Sequence, residues 1–287
     1  MGTLNFSQRT GITSVNPLPI LDSMSLELRV SLFNLFLQTF FPSRSDTAQL
    51  YRGSKNFALA ADEYFFFRPV IKIEPYHSDY ARRILNWVEN AEWNRVYEFV
   101  EWCLLYLAGP IGEKNPSETN ELKHEVNSAL ELHYSGYRII GLQLVPLSDA
   151  EESLEVEASI KHSGKFLPVS VHIKSAAHLL NPAATPNYRN SVKESISAVE
   201  AAAKIVTGQE NTTLGAALTW LEKKSGLHGA LKTGFSSLYG WTSAADGIRH
   251  SLMEEDKLTF EEAKYMLVSC SAFANYLISV YAKSSQS

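Results

Sequence analysis

Residues 93–108, Trp-Asn-Arg-Val-Tyr-Glu-Phe-Val-Glu-Trp-Cys-Leu-Leu-Tyr-Leu-Ala, carry the clearest helical pattern of the chain. Their apolar side chains recur at intervals of one, three and four residues, which places them on one face of an α-helix. Gly109 and Pro110 follow directly, and this pair is typical of a helix end. The segment therefore predicts an amphipathic helix whose apolar face belongs to a core.

The same spacing predicts further helices in the N-terminal half, at residues 77–90 and 122–133. An earlier helix begins after Ser23 or Ser25 and ends before Pro42. The side chains assigned to its buried face are Leu26, Val30, Phe33, Leu37 and Phe40. Residues 58–67 are apolar and aromatic, and their period does not decide between helix and strand. β-forming residues around Gly141, from 137 to 145, predict a small hairpin.

The C-terminal half has helical periodicity throughout. Its predicted helices cover residues 166–180, 192–206, 214–224 and 230–239, and a long last helix begins at Thr259. Thr259 and Glu262 have the spacing of a capping box. Five helices in so short a stretch indicate a compact bundle.

A chain of 287 residues with 45% hydrophobic residues is long enough for two cores. We place the domains at residues 1–160 and 161–287, with residues 146–165 as the connection. The first contains 13 Lys and Arg against 21 Asp and Glu, a net charge of −8; the second contains 13 against 10, a net charge of +3. The positive half is a candidate for contact with phosphate, although two ordinary solvated domains would give the same contrast.

The cellular context follows from what the sequence lacks. The longest apolar run, residues 102–108, is far shorter than the ~20 residues that cross a bilayer. The first ten residues are too polar for a signal peptide. Cys103 and Cys270 lie on apolar stripes and predict buried, reduced thiols. We therefore expect a cytoplasmic protein that makes no membrane contact and has neither a metal nor a cofactor.

Residues 246–250, Asp-Gly-Ile-Arg-His, combine groups that suit phosphate chemistry. The glycine allows a tight backbone, and arginine supplies a forked cation that matches phosphate. Histidine exchanges a proton near neutral pH. Such a set is sufficient for RNA cleavage without a metal, although the same pair also occurs in ordinary helix ends.

Two family resemblances cover nearly the whole chain. Residues 165–287 resemble a HEPN domain, which is a five-helix bundle of prokaryotic conflict systems. The segments that carry this resemblance are residues 187–201 (Asn-Tyr-Arg-Asn-Ser-Val-Lys-Glu-Ser-Ile-Ser-Ala-Val-Glu-Ala), 246–250, 262–263 and 272–277. Residues 5–160 resemble the type-four N-terminal domain of the abortive-infection AbiJ proteins. That resemblance rests on residues 6–11 (Phe-Ser-Gln-Arg-Thr-Gly), 93–101, 125–131, 135–138 and 144–147.

The resemblances imply a prokaryotic anti-phage protein whose relatives are toxic ribonucleases that act as homodimers. In the usual HEPN motif, four to six residues separate an arginine from a histidine, but here Arg249 and His250 are adjacent. Three interpretations remain open. His250 and Arg249 form a rearranged catalytic site; Arg249 pairs with Glu200 inside the bundle; or the bundle is silent and serves binding or dimerisation.

The sequence thus predicts a mainly α protein, with an N-terminal helical domain that carries a hairpin and a C-terminal HEPN-like five-helix bundle. The leading hypothesis is a metal-independent ribonuclease that uses His250 for proton transfer and Arg249 for phosphate. Possible supporting residues are Asp246, Glu200 and Arg189. The N-terminal domain would then bind a protein trigger or restrain the toxin. The alternatives are a non-catalytic interaction module and an RNA-binding protein that does not cleave.

Overall fold

The computed structural model describes residues 6–10, 19–42, 52–69, 77–112, 114–181, 186–209, 213–243 and 258–284. These residues form a mainly helical protein with a small antiparallel two-stranded hairpin, as the sequence predicts. The chain divides into two compact units, Met1–Leu144 and Val145–Ser287.

The first unit contains six helices among its described residues and the hairpin. The helices are α1 (Phe6–Arg9), α2 (Leu26–Phe40), α3 (Arg52–Ala60), α4 (His77–Asn90), α5 (Trp93–Ala108) and α6 (Pro116–Leu132), and the strands are β1 (Arg138–Ile140) and β2 (Gln143–Val145). The prediction of α4, α5 and the hairpin is confirmed. Helix α5 ends at Gly109, whose φ of 101° few other residues adopt.

Helix α2 begins where predicted, because the Ser25 side chain accepts a hydrogen bond from the Leu28 backbone N–H. Its predicted buried face is partly wrong. Leu26 and Val30 are exposed, whereas the buried side chains are Leu28, Leu32, Phe33, Phe36 and Phe40. Because α2 is apolar on nearly every side, periodicity alone does not identify its core face.

Aromatic rings fill much of the first core. The Phe36 ring lies 5.3–6.0 Å from five other phenylalanine rings, contributed by α2, α3, α5 and the residue after α2. The apolar segment that periodicity left untyped contains the end of α3 and a π-helical turn, Ala61–Phe65. In this turn, Asp62 is buried and accepts two hydrogen bonds from Arg83 Nη2, at 2.9 and 3.0 Å.

The hairpin is attached to the helices through side chains. The Asn127 amide of α6 accepts a hydrogen bond from the Ile139 N–H (2.7 Å) and donates one to the Ile139 carbonyl (3.3 Å). Glu101 of α5 accepts from the Leu144 N–H at 2.6 Å. The Tyr97 hydroxyl is hydrogen-bonded to Ser135 Oγ (2.8 Å) just before β1. These contacts fix the position of β1 and β2 against α5 and α6.

The described part of the second unit is helical. Its helices are α7 (Ala150–Ile160), α8 (Leu167–Leu179), α9 (Tyr188–Thr207), α10 (Leu214–Ser225), α11 (Gly229–Ser243) and α12 (Phe260–Ser284), with a 3-10 turn at Gly164–Phe166. Helix α9 packs against α8, α12 and α10. Its predicted stripe, from Val192 to Val206, is buried. The capping box of α12 is confirmed: Thr259 Oγ1 accepts from the Glu262 N–H, and Glu262 accepts from the Thr259 N–H.

Residues 146–165, expected to form a connection, contain α7, which packs against α12 and α8. Val156 and Ile160 are buried there, and Ser159 donates a hydrogen bond to the Ser271 carbonyl at 3.1 Å. Asn275 of α12 also donates to the Glu155 carbonyl at 3.0 Å. This helix therefore belongs to the second compact unit.

Among the described residues, one helical segment, Phe260–Lys283 of α12, is long and apolar enough to cross a membrane by length and composition. It packs against α9 and α7 through buried side chains that include Met266, Leu267 and Cys270. We interpret α12 as the core helix of the second unit.

Candidate functional site

Three of the five residues proposed for RNA cleavage, Asp246, Arg249 and His250, lie outside the described residues. The description stops at Ser243, the end of α11, and resumes at Leu258, just before α12. The proposed rearranged site and the alternative Glu200–Arg249 ion pair both stay predictions.

Arg189 and Glu200, the two remaining candidates, lie on α9 and are half-buried. Eleven residues separate them, which in an α-helix is about 20° around the axis and about 16 Å along it. They therefore share one flank of α9 but are too far apart to contact each other.

Two lysines extend this flank. Lys193 is exposed and Lys204 is half-buried, and both lie within about 60° of Arg189 around the helix. We call Arg189, Lys193, Glu200 and Lys204 the α9 flank. Three cations and one carboxylate along one helix side give this flank a net positive charge.

The N-terminal end of the α9 flank lies beside the start of α12. The Tyr188 and Phe260 rings are 6.1 Å apart, so the first turns of α9 and α12 are neighbours. Burial, followed by the nearby Glu261 carboxylate, raises the pKa of Tyr188. Arg189 thus lies near the point where the chain re-enters the described fold after the Asp246–His250 segment.

An imidazole–carboxylate pair that the sequence analysis did not identify joins α8 to α9. His172 Nδ1 lies 2.7 Å from Glu194 Oε2, and both side chains are partly exposed. Glu194 lies about 140° around α9 from Arg189, so this pair belongs to a different side of the helix. No local signal reveals it, because its members are 22 residues apart in sequence.

Other histidines also join helices. His133 Nε2 lies 2.9 Å from Ser31 Oγ, and His162 Nε2 lies 2.9 Å from Asn275 Oδ1. Among the described residues, no three His, Cys, Asp or Glu side chains are grouped so as to hold a metal ion.

The prediction of buried free thiols is confirmed. Cys103 and Cys270 are both buried and form no disulfide. Burial raises the pKa of each thiol well above its ordinary value. Neither sulfur is therefore suited to act as a thiolate nucleophile.

These observations define a mainly helical protein with two compact units, the first of which holds its hairpin through side chains of α5 and α6. The family model described as AbiJ N-terminal domain 4 matches residues 4–162, more than half of the chain. The chain therefore belongs to the AbiJ N-terminal domain 4 family, and this membership indicates a role in abortive infection. The resemblance predicted for the N-terminal part is confirmed. No curated protein and no solved structure matches the chain.

The match gives a structural meaning to segments for which the sequence suggested no chemistry. Tyr97, Glu101, Asn127 and Ser135 all lie within the matched range and in segments that carry the resemblance. In the structure, they are the residues that hold the hairpin.

Proposed function

We propose that the chain is an abortive-infection toxin whose C-terminal, HEPN-like part cleaves RNA in the cytoplasm without a metal ion. The observation that carries this proposal is the α9 flank, which ends at Arg189 beside the start of α12. Membership of an abortive-infection family supports the defence role.

The proposed reaction uses the ribose of the substrate as the nucleophile. His250 accepts the proton of the 2′-hydroxyl, and the 2′-oxygen then attacks the adjacent phosphorus. The bond from phosphorus to the 5′-oxygen breaks, and that oxygen takes a proton from water as it leaves. Arg249 stabilises the charge on the phosphoryl oxygens, with Arg189 and Lys193 holding the neighbouring backbone. The products are a 2′,3′-cyclic phosphate and a 5′-hydroxyl. Asp246 and Glu200 are the proposed positioning residues.

RNA cleavage in EDTA tests this proposal. Wild type, His250→Ala and the matched control His124→Ala, which changes an exposed histidine of α6, are incubated with total RNA and tRNA after circular dichroism has shown that all three are folded. We expect 2′,3′-cyclic phosphate ends from wild type and His124→Ala, and at least a ~100-fold lower rate from His250→Ala. Equal rates from all three proteins would contradict the proposed role of His250.

Glu200→Gln separates the two proposed roles of that carboxylate. If Glu200 positions the reacting groups, cleavage falls while the melting temperature stays unchanged. If Glu200 instead forms an ion pair with Arg249 inside the bundle, the melting temperature falls as well, because breaking a buried pair leaves an uncompensated charge.

The alternative function is a non-catalytic module that dimerises through the second unit and binds a protein through the first. The observation that favours it is on α8, where Leu167 and Val171 lie one turn apart and are 52% and 51% exposed. A second copy of the chain is the proposed partner. A Leu167→Glu/Val171→Glu variant should then shift the mass measured by light scattering from dimer to monomer, whereas Leu132→Glu in α6 should not. A wild-type monomer would contradict this alternative.

A further inference from the structure

A cleft of about 490 Å³ opens in the first unit, where the ends of α2 and α5 meet the starts of α3 and α6. Small-molecule sites usually have volumes of about 300–1,000 Å³ and combine apolar walls with a few polar groups. This cleft has both, since aromatic rings as well as amide, ammonium and carboxylate groups line it. It lies in a different unit from the α9 flank.

The Tyr106 ring provides a flat wall that is half-buried. It meets the Phe57 ring edge to face at 5.0 Å and the Phe40 ring at 6.1 Å. A Cβ at Gly112 would lie 2.8 Å from Tyr106 ring atoms, so the loop before α6 also packs closely on this ring. The ring is thus held in place, as a platform for a planar aromatic group requires.

The polar groups between α5 and α6 are also held by the backbone. The Asn115 N–H donates to the Leu107 carbonyl at 2.8 Å, and the Asn115 side chain accepts from the Glu118 N–H at 3.2 Å. Thr119 Oγ1 donates to the Asn115 carbonyl at 2.7 Å. These bonds fix the backbone of the segment from which Lys114 and Glu118 line the cleft.

On the α3 side, the Ser54 hydroxyl donates to the Phe40 carbonyl at 2.7 Å and joins the two helices that bound the cleft. Asn56, two residues further along α3, is exposed and lines the cleft. Its amide both donates and accepts hydrogen bonds, as is needed to recognise the edge of a heterocyclic base.

We propose that this cleft binds a mononucleotide. The base stacks on Tyr106 and its edge pairs with the Asn56 amide; Glu118 accepts from ribose hydroxyls; Lys114 binds the phosphate. A mononucleotide matches this lining because it combines a flat ring with polar edges, hydroxyl groups and one anionic group. The inference goes beyond the proposed RNA cleavage, because it assigns the first unit a small ligand through which defence could be triggered.

Binding to the full-length protein tests the inference without any cleavage assay. Isothermal titration with AMP, GMP, CMP and UMP, and with the four nucleosides, compares ligands that differ only in the phosphate. We expect at least one mononucleotide to bind with a Kd below ~1 mM and more tightly than its nucleoside. Lys114→Gln should weaken the mononucleotide about 10-fold or more and leave the nucleoside unchanged. Asn56→Ala should weaken both.

Lys174→Gln is the matched control, since it removes an exposed lysine from α8 in the other unit and should leave binding unchanged. The inference is overturned if none of the four mononucleotides binds. It is equally overturned if binding is insensitive to both Lys114→Gln and Asn56→Ala, because the ligand then occupies another site. Neither outcome depends on whether the second unit cleaves RNA.

Discussion

Single polar side chains join elements of this protein that apolar packing alone would leave free to slide. Asn127 is the clearest case. Its amide forms hydrogen bonds with both the N–H and the carbonyl of Ile139, as a neighbouring strand would. Removing the amide leaves a buried N–H and carbonyl without these partners, at a cost of about 1–3 kcal/mol.

Asn127→Ala is therefore expected to loosen the hairpin before the rest of the first unit. Hydrogen exchange of peptides that cover residues 138–145 should become about 5- to 100-fold faster, as that loss of free energy requires. Asn90→Ala is the control, because Asn90 is exposed and donates its hydrogen bonds to Asn86 of the same helix. Unchanged exchange at 138–145 in Asn127→Ala would show that packing, rather than the amide, holds β1.

The two thiols give a second prediction at this scale. Since burial raises the pKa values of Cys103 and Cys270, the thiolate is scarce in the native protein at pH 8, and the sulfurs are inaccessible as well. We expect a disulfide reagent to label neither cysteine until the protein unfolds, and raising the pH to 9 should add little. A Ser128→Cys variant, with its thiol at an exposed position of α6, should react at once under the same conditions. Rapid labelling of the wild type would show that its helices open locally.

At the scale of elements, a buried ion pair joins the π-helical turn after α3 to α4. The side chain of Asp62 is 5% exposed and that of Arg83 is 18% exposed. The Arg83 guanidinium also lies 4.5 Å from the centre of the Tyr80 ring. Breaking such a pair costs more than replacing it, because one charge then stays buried without its partner.

Asp62→Ala is expected to destabilise the first unit by about 3–5 kcal/mol, whereas Asp62→Leu/Arg83→Leu should recover a large part of that loss. Near-UV circular dichroism during urea unfolding measures both, since aromatic rings crowd this core. If the double variant is no more stable than Asp62→Ala, the attraction within the ion pair outweighs the free-energy cost of desolvating its two charges.

Helix ends that local capping residues determine were predictable from the sequence. Buried faces and side-chain pairs that tertiary contacts determine were not. Gly109 and the Thr259–Glu262 box mark helix ends that the structure confirms. The buried face of α2 was not predictable, since nearly all its sides are apolar. The Asp62–Arg83 and His172–Glu194 pairs join residues 21 and 22 positions apart, which no local spacing reveals.

The candidate site divides in the same way. Periodicity predicted a helix over residues 192–206, which carries Glu200. Helix α9 begins four residues earlier, at Tyr188, and therefore places Arg189 on the same flank. The sequence did not add Lys193 and Lys204 to them, because an amphipathic helix carries charged residues over its whole exposed face. Those two lysines follow from the helical spacing once the buried face of α9 is known.

At the scale of the whole molecule, the charge contrast between the halves depends on where the chain is divided. Within residues 1–144 there are 13 Lys and Arg against 16 Asp and Glu, a net charge of −3; residues 145–287 contain 13 against 15, a net charge of −2. The acidic helix α7 accounts for most of the change. The proposed contact with phosphate in the second unit therefore depends on the local α9 flank rather than on the net charge of the unit.

The place of α7 leads to a prediction about the units themselves. Val156 and Ile160 are buried, and burying each contributes about 1.5–3 kcal/mol. Removal of α7 therefore costs about 3–6 kcal/mol, a large share of the roughly 5–15 kcal/mol that stabilises an ordinary domain. A fragment of residues 145–287 should melt cooperatively. A fragment of residues 161–287 should be only marginally folded, because a loss of ~5 kcal/mol is comparable with the whole stability of a small domain.

The helical circular dichroism signal follows the melting of both fragments. Leu154→Ala in the longer fragment is the control, because Leu154 of α7 is 68% exposed and its truncation should change the midpoint little. Two fragments with the same midpoint would mean that α7 contributes nothing to the bundle, and the boundary after residue 160 would then describe the folding unit better than the one after Leu144. A lower midpoint for residues 161–287 alone would instead show that the acidic helix α7 stabilises the bundle that carries Arg189.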